Sequence, residues 1–161
     1  MLCFSLYAAS RATTQAYRPL LEPFGLTYPQ YLVLVLLWEC DGRAVSDLGQ
    51  NLELDSGTLS PLLRRMTDAG ILIRARSADD ERVVVVSLTE RGRALRADLA
   101  HVPGCIAAGA RLTRERADEL IDTLHRFTAD MHASADATPA ADFTSGSPRA
   151  AAATATEREH A

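Results

Sequence analysis

Apolar residues recur along this chain first at helical spacing, then in two short β-rich runs, then at helical spacing again. Residues 2–18 place Leu2, Leu6, Ala9, Thr13 and Ala16 along one stripe, which predicts a helix that stops before Pro19, because the residue preceding a proline is pushed out of the helical region. A proline-flanked link, residues 18–27, leads to a second helix opening at Tyr28-Pro29-Gln30-Tyr31, with Thr27 placed as its cap. That helix continues as Leu32-Val33-Leu34-Val35-Leu36-Leu37-Trp38-Glu39, apolar nearly all round, the pattern of a helix buried on most sides. Cys40 closes it, in a purely structural role, and Asp41-Gly42 turns the chain.

Residues 45–88 carry the most specific pattern. Val45, Leu48, Gly49 and Leu52 define an amphipathic helix, and a break at Glu53-Leu54 is followed by Asp55, a cap for the amides of Gly57 and Thr58. The next helix turns Leu59, Leu62, Leu63 and Met66 inward and Ser56, Thr58, Ser60, Arg64 and Arg65 outward, and ends at Gly70. Two helices joined this tightly form a helix-turn-helix, whose second helix fits the DNA major groove. Pro61 stands inside that second helix, so the helix either bends there or restarts with Ser60 as cap and Pro61 as its first residue. Ile71 to Arg76 and Val83 to Leu88 are rich in β-formers and flank the polar stretch Ser77-Ala78-Asp79-Asp80-Glu81-Arg82. This is a hairpin, so the module is winged, with Asp80 in the wing and Arg82 at a tip able to lie on a phosphate backbone or enter a minor groove. The fold class expected is mainly α with a small β-hairpin wing. The plain alternative is a helical hairpin and sheet packed for stability alone.

Thr89 starts a further helix reaching about His101, where Val102-Pro103-Gly104 interrupts it and leaves Cys105 on a loose, glycine-flanked link. Residues 113–132 form another helix, capped by Thr113, with Ala117, Leu120, Ile121, Leu124, Phe127 and Met131 as its stripe. With the helix at 2–18, the segment 89–132 reads as a dimerisation surface around a DNA-binding core at 44–89. Packing within one subunit is the other reading. One domain then spans 1–132. Residues 133–161, rich in Ala, Thr, Ser and Pro with Phe143 as the one large apolar residue, bury too little to fold and are expected to be disordered.

Length, composition and charge leave this picture standing. A chain of 161 residues, 47% hydrophobic, suffices for one domain with a core. The net charge of −4 argues against a broadly basic nucleic-acid coat but not against site-specific binding, which depends on where the cations sit. Between Asp55 and Arg93 seven arginines face six acids, so placement must carry specificity. All 17 basic residues are Arg; Arg forks onto guanine or phosphate where Lys does not, although biased genome composition explains the same absence. The first ten residues lack the cationic start of a signal peptide, and no run reaches the roughly 20 apolar residues that span a bilayer. Three cysteines without paired spacing do not suggest a disulfide framework, so a cytoplasmic protein is expected. No metal, cofactor or catalytic residue is expected either.

The thiols and phenols raise the question of what such a protein senses. An ordinary thiol titrates near pH 8.5, and hydrogen bonds to its thiolate would activate it. Tyr7 follows Cys3 at i+4 on the same helix face, while Tyr17 lies 14 residues along, about 21 Å of helix. An antiparallel partner helix, or the fold of the following segment, must therefore bring Tyr17 and Tyr28 back to Cys3. The bland alternative makes Cys3 a small buried hydrophobe and the tyrosines core. Cys105 is a candidate resolving thiol.

The segments Leu2-Cys3-Phe4-Ser5-Leu6-Tyr7-Ala8-Ala9-Ser10-Arg11, Tyr17-Arg18-Pro19-Leu20-Leu21, Leu26-Thr27-Tyr28-Pro29-Gln30-Tyr31 and Leu54-Asp55-Ser56-Gly57-Thr58-Leu59 closely resemble the organic hydroperoxide resistance branch of the MarR family. Asp80-Glu81-Arg82 and Val83 to Thr89 look like that family's wing, and the match runs from about residue 2 to 132. The resemblance implies a homodimeric repressor that binds an inverted-repeat operator in double-stranded DNA while reduced. It also implies that an organic hydroperoxide oxidises the sensing cysteine to a sulfenic acid, which then forms a disulfide and leaves DNA. By position Cys3 matches the sensing thiol, Tyr17 and Tyr28 the tyrosines that reach it from the partner subunit, and Tyr7 a further pocket tyrosine. Cys105 lies in the region of the resolving thiol of the two-cysteine subgroup. The family carries a longer stretch before its sensing cysteine, whereas only Met1 and Leu2 precede Cys3 here; either the start is misassigned or the first helix is shortened, which would expose the thiol or weaken the dimer.

Three functions follow from these readings. The first is a peroxide-responsive repressor with Ser56, Thr58, Ser60, Arg64, Arg65 and Arg82 on DNA. The second keeps the DNA module and releases it with a non-covalent phenolic ligand held in an aromatic pocket of the dimer. The third, a thiol peroxidase, leaves the outward arginines unexplained.

Overall fold

The computed structural model describes residues 1–78 and 80–137, with side chains described through residue 135. Contacts divide the chain into two units, Met1–Leu112 and a second beginning at Thr113. The first unit contains α1 (Leu2–Leu21), a 3-10 turn (Glu22–Phe24), α2 (Tyr28–Glu39), β1 (Arg43–Ala44), α3 (Val45–Leu52), α4 (Ser56–Asp68), β2 (Leu72–Arg76), β3 (Val84–Leu88), α5 (Glu90–Asp98) and α6 (Val102–Ala110). The second holds α7 (Arg114–Ala137). Among the described residues no single helix is long and apolar enough to cross a membrane.

The core is a single cluster. Val33, Leu34 and Leu37 of α2, Leu48 of α3, Leu59, Leu63 and Met66 of α4, and Leu72 and Val86 of the sheet lie within it, almost without solvent contact. Helix α2 is the apolar axis that the pattern predicts, and Gln30 caps it by accepting from the Thr27 amide (2.8 Å) and hydroxyl (3.1 Å). The sheet is antiparallel in the order β1-β3-β2, with Leu72 opposite Leu88 and Arg76 opposite Val84. The two-residue β1, which pairs Arg43 with Val86, is too short to leave a periodic signal.

Three expectations about element ends are corrected. Helix α1 does not stop before Pro19 but runs through it to Leu21, which is fully buried. Packing of Leu20 and Leu21 into the core offsets a proline penalty of about 3 kcal/mol, confined here to the last turn. Helix α5 ends at Asp98, before His101, and Val102-Pro103-Gly104 does not interrupt a helix but opens α6, with proline in its first turn where a missing amide costs little. Cys105 is therefore a helical residue and not part of a loose link. Helix α7 continues past residue 132 to Ala137; the rest of the tail expected to be disordered lies outside the described residues.

Hydrogen bonds at the base of the hairpin hold the sheet to its helices. Asp41 Oδ1 accepts from the amides of Gly42 (2.9 Å) and Leu88 (2.8 Å), and its Oδ2 accepts from Arg93 (3.0 Å). Trp38 Nε1 donates to the Gly92 carbonyl (2.9 Å), where a side chain in place of Gly92 would collide with the Ile71 carbonyl. Strands, α2 and α5 thus meet at one fixed corner.

Candidate nucleic-acid interface and thiol site

Helices α3 and α4 are joined through a left-handed Glu53 (φ 52°) and by Asp55, which caps α4 as its position suggests. Its Oδ1 accepts from the Thr58 amide and its Oδ2 from the Thr58 hydroxyl, both at 2.9 Å. These bonds hold the Asp55 carboxyl below its ordinary value, the side-chain bond being the largest cause. At the far end Gly70 adopts φ 68°, and the Ile71 amide reaches back to the Met66 carbonyl (3.0 Å) while that of Gly70 reaches Thr67 (2.9 Å), a Schellman closure. Pro61 neither ends nor restarts the helix: α4 is one element from Ser56 to Asp68. The amide it lacks would pair with the carbonyl of Gly57 in the first turn, beside the Asp55 cap.

Leu59, Leu62, Leu63 and Met66 face the core, and Ser56, Thr58, Ser60, Arg64 and Arg65 are all exposed. Arg82 is exposed at the hairpin end. Asp80 shapes the turn, its Oδ1 accepting from the Arg82 amide (2.9 Å) and its carbonyl from that of Val83 (2.9 Å). The structure separates the arginines of this module into two sets. Arg43 is bound to Asp47 (2.9 Å), Arg76 to the Glu81 carbonyl (2.7 Å), Arg91 to the Ala69 carbonyl (2.8 Å) and Arg93 to Asp41. The guanidinium groups of Arg64, Arg65, Arg74 and Arg82 make no hydrogen bond or ion pair to a described residue, which leaves their donors available to an external acceptor.

Cys3 is exposed in the first turn of α1, beside exposed Leu2, Phe4 and Tyr7. Within the chain it is neither a buried hydrophobe nor brought back to the other phenols. Tyr17 and Tyr28 stack at the opposite end of α1, ring centroids 4.4 Å apart, and Tyr31 joins them at 5.6 Å from Tyr17. Burial pushes all three phenols above their ordinary pKa, and for Tyr17 the neighbouring Tyr28 and Tyr31 add to it. Tyr31 was missed in the sequence, although its i+3 spacing from Tyr28 on α2 was the available signal. A cavity of about 660 Å3 opens beside Tyr28, lined also by Arg11, Thr14, Gln15 and Arg18. Cys105 borders a separate apolar groove with Ala12, Ala16 and Leu20 of α1. Cys40 is exposed, not packed in the core. Among the described residues no group of three or more His, Cys, Asp or Glu could hold a metal ion.

A tight pair of helices, the second capped at both ends with its polar face outward, and a hairpin wing anchored beside it define a winged helix-turn-helix protein. Residues 15–99 match the family of transcriptional regulators described as SarA/Rot. The chain is 44% identical over 131 residues to the organic hydroperoxide resistance transcriptional regulator of Bacillus subtilis, covering 81% of this chain and 89% of that one. It is also 44% identical over 143 residues to the transcriptional regulator TtmR of Methylorubrum extorquens, covering 88% and 73%. A solved structure of reduced AbfR bound to DNA superimposes with a TM-score of 0.69 at 32% identity, covering 81% of this chain and 90% of that one; AbfR is a protein of Staphylococcus epidermidis. The chain belongs to the MarR family of winged-helix transcriptional regulators, in its organic hydroperoxide resistance branch.

Proposed function

We propose that the chain is a homodimeric, DNA-binding repressor that senses organic hydroperoxides through Cys3 and then leaves its operator. One observation carries the reading: the thiol and the phenol pair stand at opposite ends of one 20-residue helix, each half of a site lacking its other half. A second copy of α1 running antiparallel sets each Cys3 against the partner's Tyr17 and Tyr28, and the exposed Leu2, Phe4 and Tyr7 supply the apolar contact around it. Phenol hydroxyls donating to the sulfur favour the thiolate, the nucleophilic form.

The thiolate attacks the distal oxygen of the hydroperoxide; the O–O bond breaks, the alkoxide leaves and takes a proton as alcohol, and Cys3 becomes a sulfenic acid. A thiol then attacks the sulfenic sulfur, forming a disulfide and releasing water; exchange with external thiols, which are oxidised to their own disulfide, then returns Cys3 to the thiol. Cys105 is one candidate for that thiol and a small cellular thiol the other. Cys105 faces the part of α1 beginning at Ala12, about 13 Å of helix rise from Cys3, and a disulfide needs Cα atoms within roughly 7 Å. A Cys3–Cys105 bond therefore joins two subunits or follows a rearrangement. The related AbfR, solved reduced and overoxidized on DNA and also with a disulfide formed, supports a redox reading.

Cumene hydroperoxide added to a gel shift, with and without reductant, tests the proposal. Wild type releases the duplex and rebinds on reduction, whereas Cys3→Ser binds equally well and is not released; release persisting in Cys3→Ser sinks it. The cavity beside Tyr28, with Arg11 and Arg18 in its wall, favours a second reading in which a phenolate occupies the site without oxidation. In that case the phenol alone lowers affinity, in both proteins.

A further inference from the structure

Between the recognition helix and the wing lies a cleft of about 290 Å3 that the readings above leave without a role. Its polar lining is Ser46 of α3, Ser60 of α4, Arg74 of β2 and Arg82 of the hairpin, and its walls are aliphatic, from Val45, Leu63, Val83 and Val84. Among the described residues no carboxylate lines it. The groove on the other side of Ser46, between α3 and α4, is lined by Glu53 and Asp55 instead, so the sign of charge changes across a single residue. Among the described residues neither guanidinium group of the cleft has a hydrogen-bond or ion-pair partner, in contrast to Arg76 two residues further along β2, which is satisfied by the Glu81 carbonyl.

Two guanidinium groups without a described partner and two hydroxyls around an apolar floor suit a tetrahedral monoanion better than a base edge. Four donors converge there, and guanidinium forks match phosphate oxygens in pairs. Placement also matters: the cleft lies between the recognition helix and the wing, where a strand's backbone would lodge. We infer that this cleft clamps one backbone phosphate of the operator, with Arg74 as its principal ligand and Ser46 as a second, neither of them a reader of sequence. The clamp takes a DNA phosphodiester and fixes the wing's position relative to α4 when DNA is bound. Arg74 thereby sets affinity and register, while Arg64 and Arg65 remain to discriminate bases. This inference rests on the reading that the chain binds DNA.

The probe is a duplex selected by wild-type protein from a random library, with binding followed by anisotropy over a range of salt concentrations. Arg74→Gln is expected to weaken selected and scrambled duplexes by the same factor and to lower the salt slope by about one per subunit. Arg74→Lys restores the slope, since it keeps the charge. Replacing phosphates one at a time by neutral methylphosphonate identifies one position per half-site where wild type loses about ten-fold or more and Arg74→Gln loses nothing. Arg74 is exposed on its strand, so an unchanged melting temperature is expected for Arg74→Gln. An Arg74→Gln protein with the wild-type slope and the wild-type methylphosphonate profile overturns the clamp while leaving DNA binding intact. Failure of wild type to select any duplex overturns the DNA reading itself, and the clamp with it.

Discussion

Helices α4 and α7 carry the same apolar spacing and put it to opposite use. In α4 the stripe Leu59, Leu62, Leu63 and Met66 is 0–4% exposed, because α2 and the sheet close over it. In α7 the stripe residues Leu120, Ile121, Leu124 and Met131 are 38–53% exposed, while Ala117 and Phe127 are half-buried. Burial of such side chains stabilises by about 1.5–3 kcal/mol each, so the stripe of α4 is satisfied within the first unit, while these four residues of α7 keep much of their surface exposed. Periodicity announces a face that must be covered; it does not say by what. The DNA-reading module is complete in the monomer, and the exposed faces of α1 and α7 mark where a second copy is proposed.

The sharpest way to break this contrast is to charge the uncovered face. Ile121→Glu with Leu124→Glu is expected to leave the far-ultraviolet dichroism of the chain nearly unchanged and to yield monomers in sedimentation. A monomer engages one half-site at a time, so operator affinity falls by about two orders of magnitude or more. A double variant that still sediments as a dimer places the interface elsewhere.

The converse change acts inside the module. Leu63→Ala removes a side chain that is 1% exposed and is expected to cost about 2–5 kcal/mol in urea unfolding, independent of protein concentration. Leu124→Ala, the same chemical change in α7, should shift the transition only in a concentration-dependent way. Equal, concentration-independent losses in both variants would mean that α7 is covered within its own chain.

What the sequence made legible divides along the same line. The cap at Asp55, the turn at Gly70, the inward and outward faces of α4 and the hairpin all rest on local chemistry, a few residues long, and the structure reproduces them. Pro19, Pro61 and Val102-Pro103-Gly104 were harder, because a proline's effect depends on which turn of the helix it occupies, and α1 is held past Pro19 by burial of Leu21, a tertiary contact. The phenol site was half legible: Tyr17 and Tyr28 do meet, yet the third ring, Tyr31, and the distance to Cys3 depend on how α1 and α2 pack. Arg74 left no signal at all, since an arginine on a strand reads as a solvated position until the satisfied guanidinium groups around it are known.

The smallest expected effect concerns the joint that keeps α4 independent of any partner. Asp55 holds the first turn of α4 by accepting from Thr58 twice, and those bonds lower its pKa from the ordinary 3.8. A carboxyl whose folded pKa is depressed binds its proton less readily in the folded than in the unfolded state. Its contribution is therefore fully present above the unfolded value and is lost as pH falls through the folded one. Between neutral pH and about pH 5 the cap should be constant, and the loss should begin below pH 4 and be complete only below the depressed value. Asp55→Asn keeps an acceptor without the charge, so it should melt slightly below wild type at pH 7 and converge with it in acid. Asp55→Ala, which lacks both, should melt lowest at pH 7, and both variants, having no carboxyl to titrate at this position, should show a flatter acid dependence than wild type. Since the cap lies in the turn between α3 and α4, neither difference should vary with protein concentration; a concentration-dependent difference would tie the recognition helix's own stability to the second copy and erase the distinction from α7.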